Sequence, residues 1–318
     1  MSNLPPPPTK NQSSVFLIGS GIAWGIITLL FFLLCSAPTK TGTQPGWFLA
    51  GTNILETGAF TIASLLCFRN WKSRYIVSGR QAWFWLGAGL MTYACGNILF
   101  FLWGTIWGLD PVVSLGDCFY ILSYIFLATG MVKAALQRRL NLEPSQWLIV
   151  GGIGLLGMAL ALFVHIRGAE AISELAFLPN PGDGFIPHLP FNSLLAVKPT
   201  NQPPIWVTRL DQHLQSLADI MSILYVIGDA LLLIIAATLL VAFWGGRSSQ
   251  SWILIALATF SLYIADMFFA YAANTNSYVE GSLWEIFWSF SAIFFWLGAV
   301  VERAVSIKSR HSPRHRRA

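Results

Sequence analysis

Eight apolar runs, each about as long as a bilayer is thick, decide what this chain can fold into. A membrane-crossing helix needs about 20 predominantly apolar residues. Runs of that kind fall at roughly 15–36, 47–68, 82–104, 113–136, 147–166, 218–243, 252–273 and 282–304. Backbone N–H and C=O groups find no water in hydrocarbon, so such runs must be helices that satisfy their own hydrogen bonds. Charged residues make up 10% of the chain, where a soluble domain carries about a quarter. The expected fold is all-α: a polytopic membrane protein with eight transmembrane helices.

Basic residues orient these spans. With eight crossings both termini share one side, and that side holds fifteen of the 19 Lys and Arg residues. Lys40, Arg167, Lys198 and Arg209 are the four on the other side. The excess places both ends in the cytoplasm. Residues 1–14, with Pro5–Pro8, read as a disordered cytoplasmic tail. Residues 306–318 read as a basic cytoplasmic tail that meets anionic headgroups, so no nucleic acid is expected as a partner. The 167–217 segment reads as one long external loop, helical in period only over Ile205–Leu217.

Other features read as packing or anchoring. Gly21 and Gly25 offer a close-packing face for another helix, in this chain or in a further copy. Trp47, Trp103, Trp107, Trp147 and Trp252 stand near helix ends as interfacial anchors. The four cysteines have no metal spacing and read as apolar packing residues, with a Cys35–Cys118 bridge as the minor alternative.

The chain also repeats itself. Ser114, Asp117, Ser123 and Gly130 match Ser282, Glu285, Ser291 and Gly298 at a constant offset of 168 residues. Asn97 falls opposite Asp266 at an offset of 169, and Glu56 opposite Asp229 at 173. The expected plan is two parallel four-helix repeats, 15–139 and 140–305, related by an axis along the membrane normal.

Those matched positions carry the chemistry. At 1.5 Å per residue, Glu56 and Asp229 lie about 14–16 Å from the outer helix ends, Asn97 and Asp266 about 10 Å, and Asp117 and Glu285 about 5–6 Å. An ionised carboxylate in the bilayer costs about 2.5–3.5 kcal/mol on the insertion scale. No Lys or Arg stands in the helix cores to pair with these acids. One reading is a polar cavity, open to the outside, for a small ligand or cation, with Tyr93, Tyr120, Tyr124, Trp284 and Trp288 as aromatic lining. The other is that the acids only fix helix packing. Asp117 and Glu285, in the first turn of their helices, fit a capping role better. Glu56, Asp229 and Asp266 fit the cavity better.

The chain has no phosphate-binding Gly loop, no HExxH and no nucleophile motif, so neither an enzyme nor a cofactor is expected. The pattern Trp83, Gly87, Gly96-Asn97, Trp103, Pro111, Ser114-Leu115-Gly116-Asp117, Tyr120, Tyr124, Gly130 resembles a family. It is similar to the multi-helix membrane sensor regions found N-terminal to bacterial diguanylate cyclases, where a W…G…GD motif precedes pSxAD-xxYL-xxY. The second-half segments ADMFFAY and GSLWEIFW look similar to the closing helices of those regions, and the likeness spans most of 80–305. It implies a ligand-sensing module in a bacterial inner membrane with a cytoplasmic signalling partner. No GGDEF-type domain is in the sequence, so cyclase activity is not implied. A small-solute or ion transporter and a structural subunit of a membrane complex are the competing functions.

Overall fold

A computed structural model describes residues 10–36, 44–74, 76, 79–109, 113–137, 143–176, 203–243, 249–275 and 277–311. Among these residues the fold is all-helical. The helices are α1 (Lys10–Cys35), α2 (Gly46–Lys72), α3 (Arg80–Phe101), α4 (Leu115–Gln137), α5 (Pro144–Ala176), α6 (Ile205–Gln215), α7 (Ala218–Ala242), α8 (Ser249–Asn274) and α9 (Ile286–His311). All but α6 are long and apolar enough to cross a membrane. Phe16, Leu34, Leu148 and Leu155 are 74–78% exposed on the bundle's outside, which suits lipid and not water. The protein is a multi-pass integral membrane protein.

Several boundaries differ from the sequence reading. α1 starts at Lys10, two residues past Pro8, so 10–14 are helical, while 1–9 lie outside the described residues. α5 continues ten residues past 166, because RGAEAISELA holds good helix formers and meets no proline before Pro179. Within the 167–217 segment α6 falls on the stretch read as helical, Ile205–Leu217, while 177–202 lie outside the described residues. α9 stays helical to His311, so the basic tail begins on a helix, and 312–318 lie outside the described residues.

Burial corrects other readings. Trp103 and Trp252 are fully buried and anchor nothing at an interface, whereas Trp47 and Trp147 are more than half exposed. All four cysteines are free thiols, with Cys118 exposed. Gly21 and Gly25 face Trp296 and Ile293 of α9, so that small-residue face is spent within the chain.

The spans bring two kinds of interior together. Toward the end where α1 starts and α9 finishes, here the terminal end, the core is solid. Trp83 packs on Trp252 with centroids 5.6 Å apart, and Phe243 stacks on Trp252. Leu86, Leu127, Met131 and Phe295 fill the space around them, each at most 1% exposed. Toward the other end the helices part around a cavity.

α2, α3 and α4 pack in sequence, as do α7, α8 and α9, and the two trios meet through α2–α9 and α4–α7. These adjacencies follow the internal repeat. The first helix of each half does not: α1 packs on α9 and α2, but α5 packs on α7 and α8. Gly130 sits against Leu86 and Ala82, and Gly298 against Ile255 and Ser251, partners that are themselves offset by 169.

The α3–α4 crossing sets the position of the cavity's polar groups. A Cβ on Gly96 would meet the Tyr120 ring at 2.7 Å, and one on Gly116 would meet the Gly96 carbonyl at 2.8 Å. Only glycine lets the two backbones approach so closely. Gly96→Leu should therefore cost about 1–3 kcal/mol by overpacking. The measurement is the apparent melting temperature of the purified protein in detergent, with Gly152→Leu, which meets nothing within 4 Å, expected to melt like the wild type.

Candidate functional site

The cavity occupies about 200 Å³ and is lined from α2, α3, α4, α5, α7, α8, α9 and the turn before α9. Of the eleven residues singled out from the sequence, Glu56, Tyr93, Asn97, Asp117, Tyr124, Asp229, Asp266, Glu285 and Trp288 line it. Tyr120 lines it as well, but Trp284 does not; it is half exposed and stacks on Phe268. No Lys, Arg or His is among the described lining residues.

Each half contributes a chain of hydrogen bonds. In the first, the Tyr120 hydroxyl donates to Asn97 Oδ1 at 2.8 Å, and Asn97 Nδ2 donates to Glu56 Oε1 at 2.8 Å. In the second, Trp288 Nε1 donates to Asp266 Oδ1 at 2.7 Å. Tyr120 and Trp288 are offset by 168, so the two donors occupy matched places. The Tyr124 hydroxyl then joins the second pair, 2.7 Å from Asp229 Oδ1 and 2.6 Å from Asp266 Oδ2.

Asp117 and Glu285 serve two masters. Asp117 Oδ2 accepts from the Ser114 backbone N–H at 2.6 Å while Ser114 Oγ accepts from the Gly116 N–H at 3.1 Å, a capping box at the start of α4. Its other oxygen accepts from Tyr225 at 2.6 Å. Glu285 accepts from the Gly281 N–H at 2.9 Å and from Tyr278 at 3.0 Å. Gly281 has φ 81°, a left-handed turn that favours glycine, and it lets the preceding loop fold back onto the carboxylate. So Asp117 combines capping with a place in the cavity wall, whereas Glu285 makes no side-chain cap and ties the preceding loop to the wall instead.

Three groups escaped the sequence reading. Tyr225 and Tyr278 supply hydroxyls to acids, yet in the sequence they look like any aromatic in or beside an apolar run. Glu280 lies in the turn between α8 and α9, half-buried at the cavity wall, with the Thr105 hydroxyl 3.4 Å away. Thr105 belongs to a π-helical turn, Leu102–Ile106, that ends α3. Separately, Glu302 is 2% exposed near the terminal end, where Ser251 and Ser306 donate to its carboxylate at 2.8 and 3.2 Å.

α6 closes one flank of this end. Its Val207 and Leu214 bury against Trp103 and Val113, and Asp211 accepts the Trp103 indole N–H at 3.0 Å. Ile205 and Trp206 stay exposed, as on an amphipathic helix lying in an interface.

Among the described residues, no three His, Cys, Asp or Glu groups come close enough to ligate one metal ion. What the cavity offers is carboxyl oxygen beside aromatic faces, which suits a cation that keeps part of its own apolar surface. No family model matches the chain, and neither a curated protein nor a solved structure is significantly similar to it. The class that fold and site define is a multi-pass membrane protein with an acidic, aromatic-lined cavity in one half of its bundle.

Burial pushes the Glu280 carboxyl up to about 7, the Thr105 hydroxyl opposing only in part. A raised carboxyl binds its proton more tightly folded than unfolded. Its contribution to stability is therefore full below about pH 4.5 and is lost as pH rises toward about 7. Thermal melts across that window should show the wild type losing stability relative to Glu280→Gln as pH rises, with a constant difference above it.

Proposed function

We propose that this protein is a receptor-like membrane module whose cavity binds a small organic cation, an amine or quaternary ammonium compound. One observation carries the reading: carboxyl groups and aromatic rings from both halves of the bundle line one cavity with no basic side chain among the described lining residues. A ligand bearing a positive charge supplies what the wall lacks, and ring faces attract it by roughly 0.5–2 kcal/mol each. The solid core around Trp83 and Trp252 favours binding over passage, since it fills the bundle beneath Asp229 and Asp266. A transporter would need that core to open.

In this reading the cavity faces away from the cytoplasm, both termini are cytoplasmic, and the membrane is a bacterial inner membrane. The distribution of Lys and Arg supports the orientation, and the resemblance to cyclase-linked sensor regions supports the setting. α9 runs from the cavity wall at Trp288 to the basic terminal end, and offers a continuous rod to a cytoplasmic signalling partner. Duplication of a four-helix unit accounts for the matched donors, with α1 and α5 packed differently since.

Binding to the folded state raises stability by about 2.7 kcal/mol at 100 Kd. n-Butylammonium or tetramethylammonium chloride should therefore raise the melting temperature of the purified protein saturably, and Asp266→Asn should weaken the response about tenfold, or 1.4 kcal/mol. An equal response to sodium chloride of the same ionic strength would remove the proposal. A reporter fused after residue 318 should score as cytoplasmic; the opposite result reverses the orientation.

A further inference from the structure

The Tyr124 hydroxyl stands between two carboxyls and has one hydrogen to give. It lies 2.7 Å from Asp229 Oδ1 and 2.6 Å from Asp266 Oδ2. An O···O contact that short needs a hydrogen between the atoms. A phenol donates once, and any second contact must be one it accepts. If both carboxyls were ionised, one contact would set lone pair against lone pair. One additional proton on the group removes the conflict.

The surroundings decide which carboxyl holds that proton. Asp266 Oδ1 already accepts an N–H from Trp288 at 2.7 Å, which marks Asp266 as the acceptor. Asp229 is 2% exposed, while Asp266 is less buried. Burying a neutral carboxyl costs far less than burying a carboxylate. The hydrogen bonds then run one way: Asp229 O–H to the Tyr124 oxygen, and Tyr124 O–H to Asp266 Oδ2.

Among the described residues no cation competes for this role. Asp229, on α7, is faced by Tyr124 from α4 and by Asp266 and Tyr263 from α8. The Tyr263 hydroxyl is committed to the Gly157 carbonyl at 2.7 Å. The described α5 residues packed there, Ile153, Gly157 and Ala161, carry no titratable group. On α7 itself Tyr225 donates to Asp117, and across the cavity Glu56 is held by Asn97. From the other walls Tyr93 on α3 and Glu285 in the turn before α9 look into the same space.

We infer that Asp229 carries one proton, held through Tyr124, and that a monovalent organic cation entering the cavity at Asp266 exchanges for it. The exchange balances: the Asp229 O–H bond breaks, the proton leaves to water, Tyr124 turns its one hydrogen to Asp229, and the cation takes its place on Asp266 so that its charge replaces that of the proton. The exchange half rests on the binding reading proposed above; the proton half does not.

Infrared spectroscopy of the purified protein at neutral pH tests the proton half. Every sample carries Glu280→Gln, because that carboxyl, pushed up to about 7, would add a band of its own; with Asp229 intact the protein should show the C=O band of a protonated carboxyl, shifting in D2O, and Asp229→Asn should lack it. Tyr124→Phe should keep the band at higher frequency, because Asp229 loses its acceptor; this variant also decides the matter if Asp229→Asn does not fold. In that background, absence of the band with Asp229 intact, its persistence in Asp229→Asn, or an unchanged frequency in Tyr124→Phe overturns the assignment. Titration with n-butylammonium chloride in weak buffer with a pH indicator tests the exchange, and about one proton should appear per bound cation. Saturable binding with no proton released overturns the exchange and leaves the binding reading standing. No saturable binding overturns both.

Discussion

The interaction on which this structure depends is the hydrogen bond from a neutral donor to a buried carboxyl. Membrane-embedded acids elsewhere are commonly paired with a basic residue or with one another. Here the described donors are Tyr120 through Asn97, Tyr124, Tyr225, Tyr278 and Trp288, none of which carries a charge. A hydrogen bond to a charged group contributes about 1.5–3 kcal/mol, close to the insertion cost of about 2.5–3.5 kcal/mol for one carboxylate. The donors therefore roughly offset the burial of an ionised acid without a charged partner. On the proposed reading, a lysine would have left nothing for a ligand to satisfy.

The backbone is arranged to deliver those donors. The glycines at 96 and 116 bring α3 and α4 together, and that approach sets Tyr120 within reach of Asn97 on the neighbouring helix. The Trp83–Trp252 contact joins the two halves at the opposite end of the bundle, at positions matched by the repeat. A rigid, filled half thus holds apart the ends of the helices that frame the cavity. Close packing in one half and a cavity in the other are two consequences of one set of crossings.

The spans and the acids were legible in the sequence for a simple reason. A carboxyl in an apolar run stands out, and so does the same residue type recurring at a fixed offset. The five acids and Asn97 found that way all came to line one space. Long-range partners were not legible. Tyr225 reaches Asp117 across 108 residues, and Asp211 reaches Trp103 across 108 in the same way. A tyrosine among leucines carries no mark of where its hydroxyl will point. Trp103 and Trp252 misled because tryptophan near a helix end suits both a bilayer interface and a packed interior. α5 ran past its expected end because hydropathy marks where a helix leaves the hydrocarbon, while helix propensity marks where it stops.

The two halves differ most where they matter most. Asn97 stands where the second half has Asp266, and Ala292 stands where the first half has Tyr124. An amide can give a hydrogen and take one, so Asn97 links Tyr120 to Glu56 with no proton to spare. A second carboxyl cannot do this unless it or its partner is protonated. The substitution of acid for amide therefore turns a closed pair into an open one, and Tyr124, contributed by the other half, joins the members of that pair. On the proposed reading, the cavity's selectivity is concentrated on α7 and α8, and the first half contributes the tyrosine and the wall. On the proposed reading, an amide at 266 like the one at 97 would leave each acid in a self-satisfied pair, with no site for a cation.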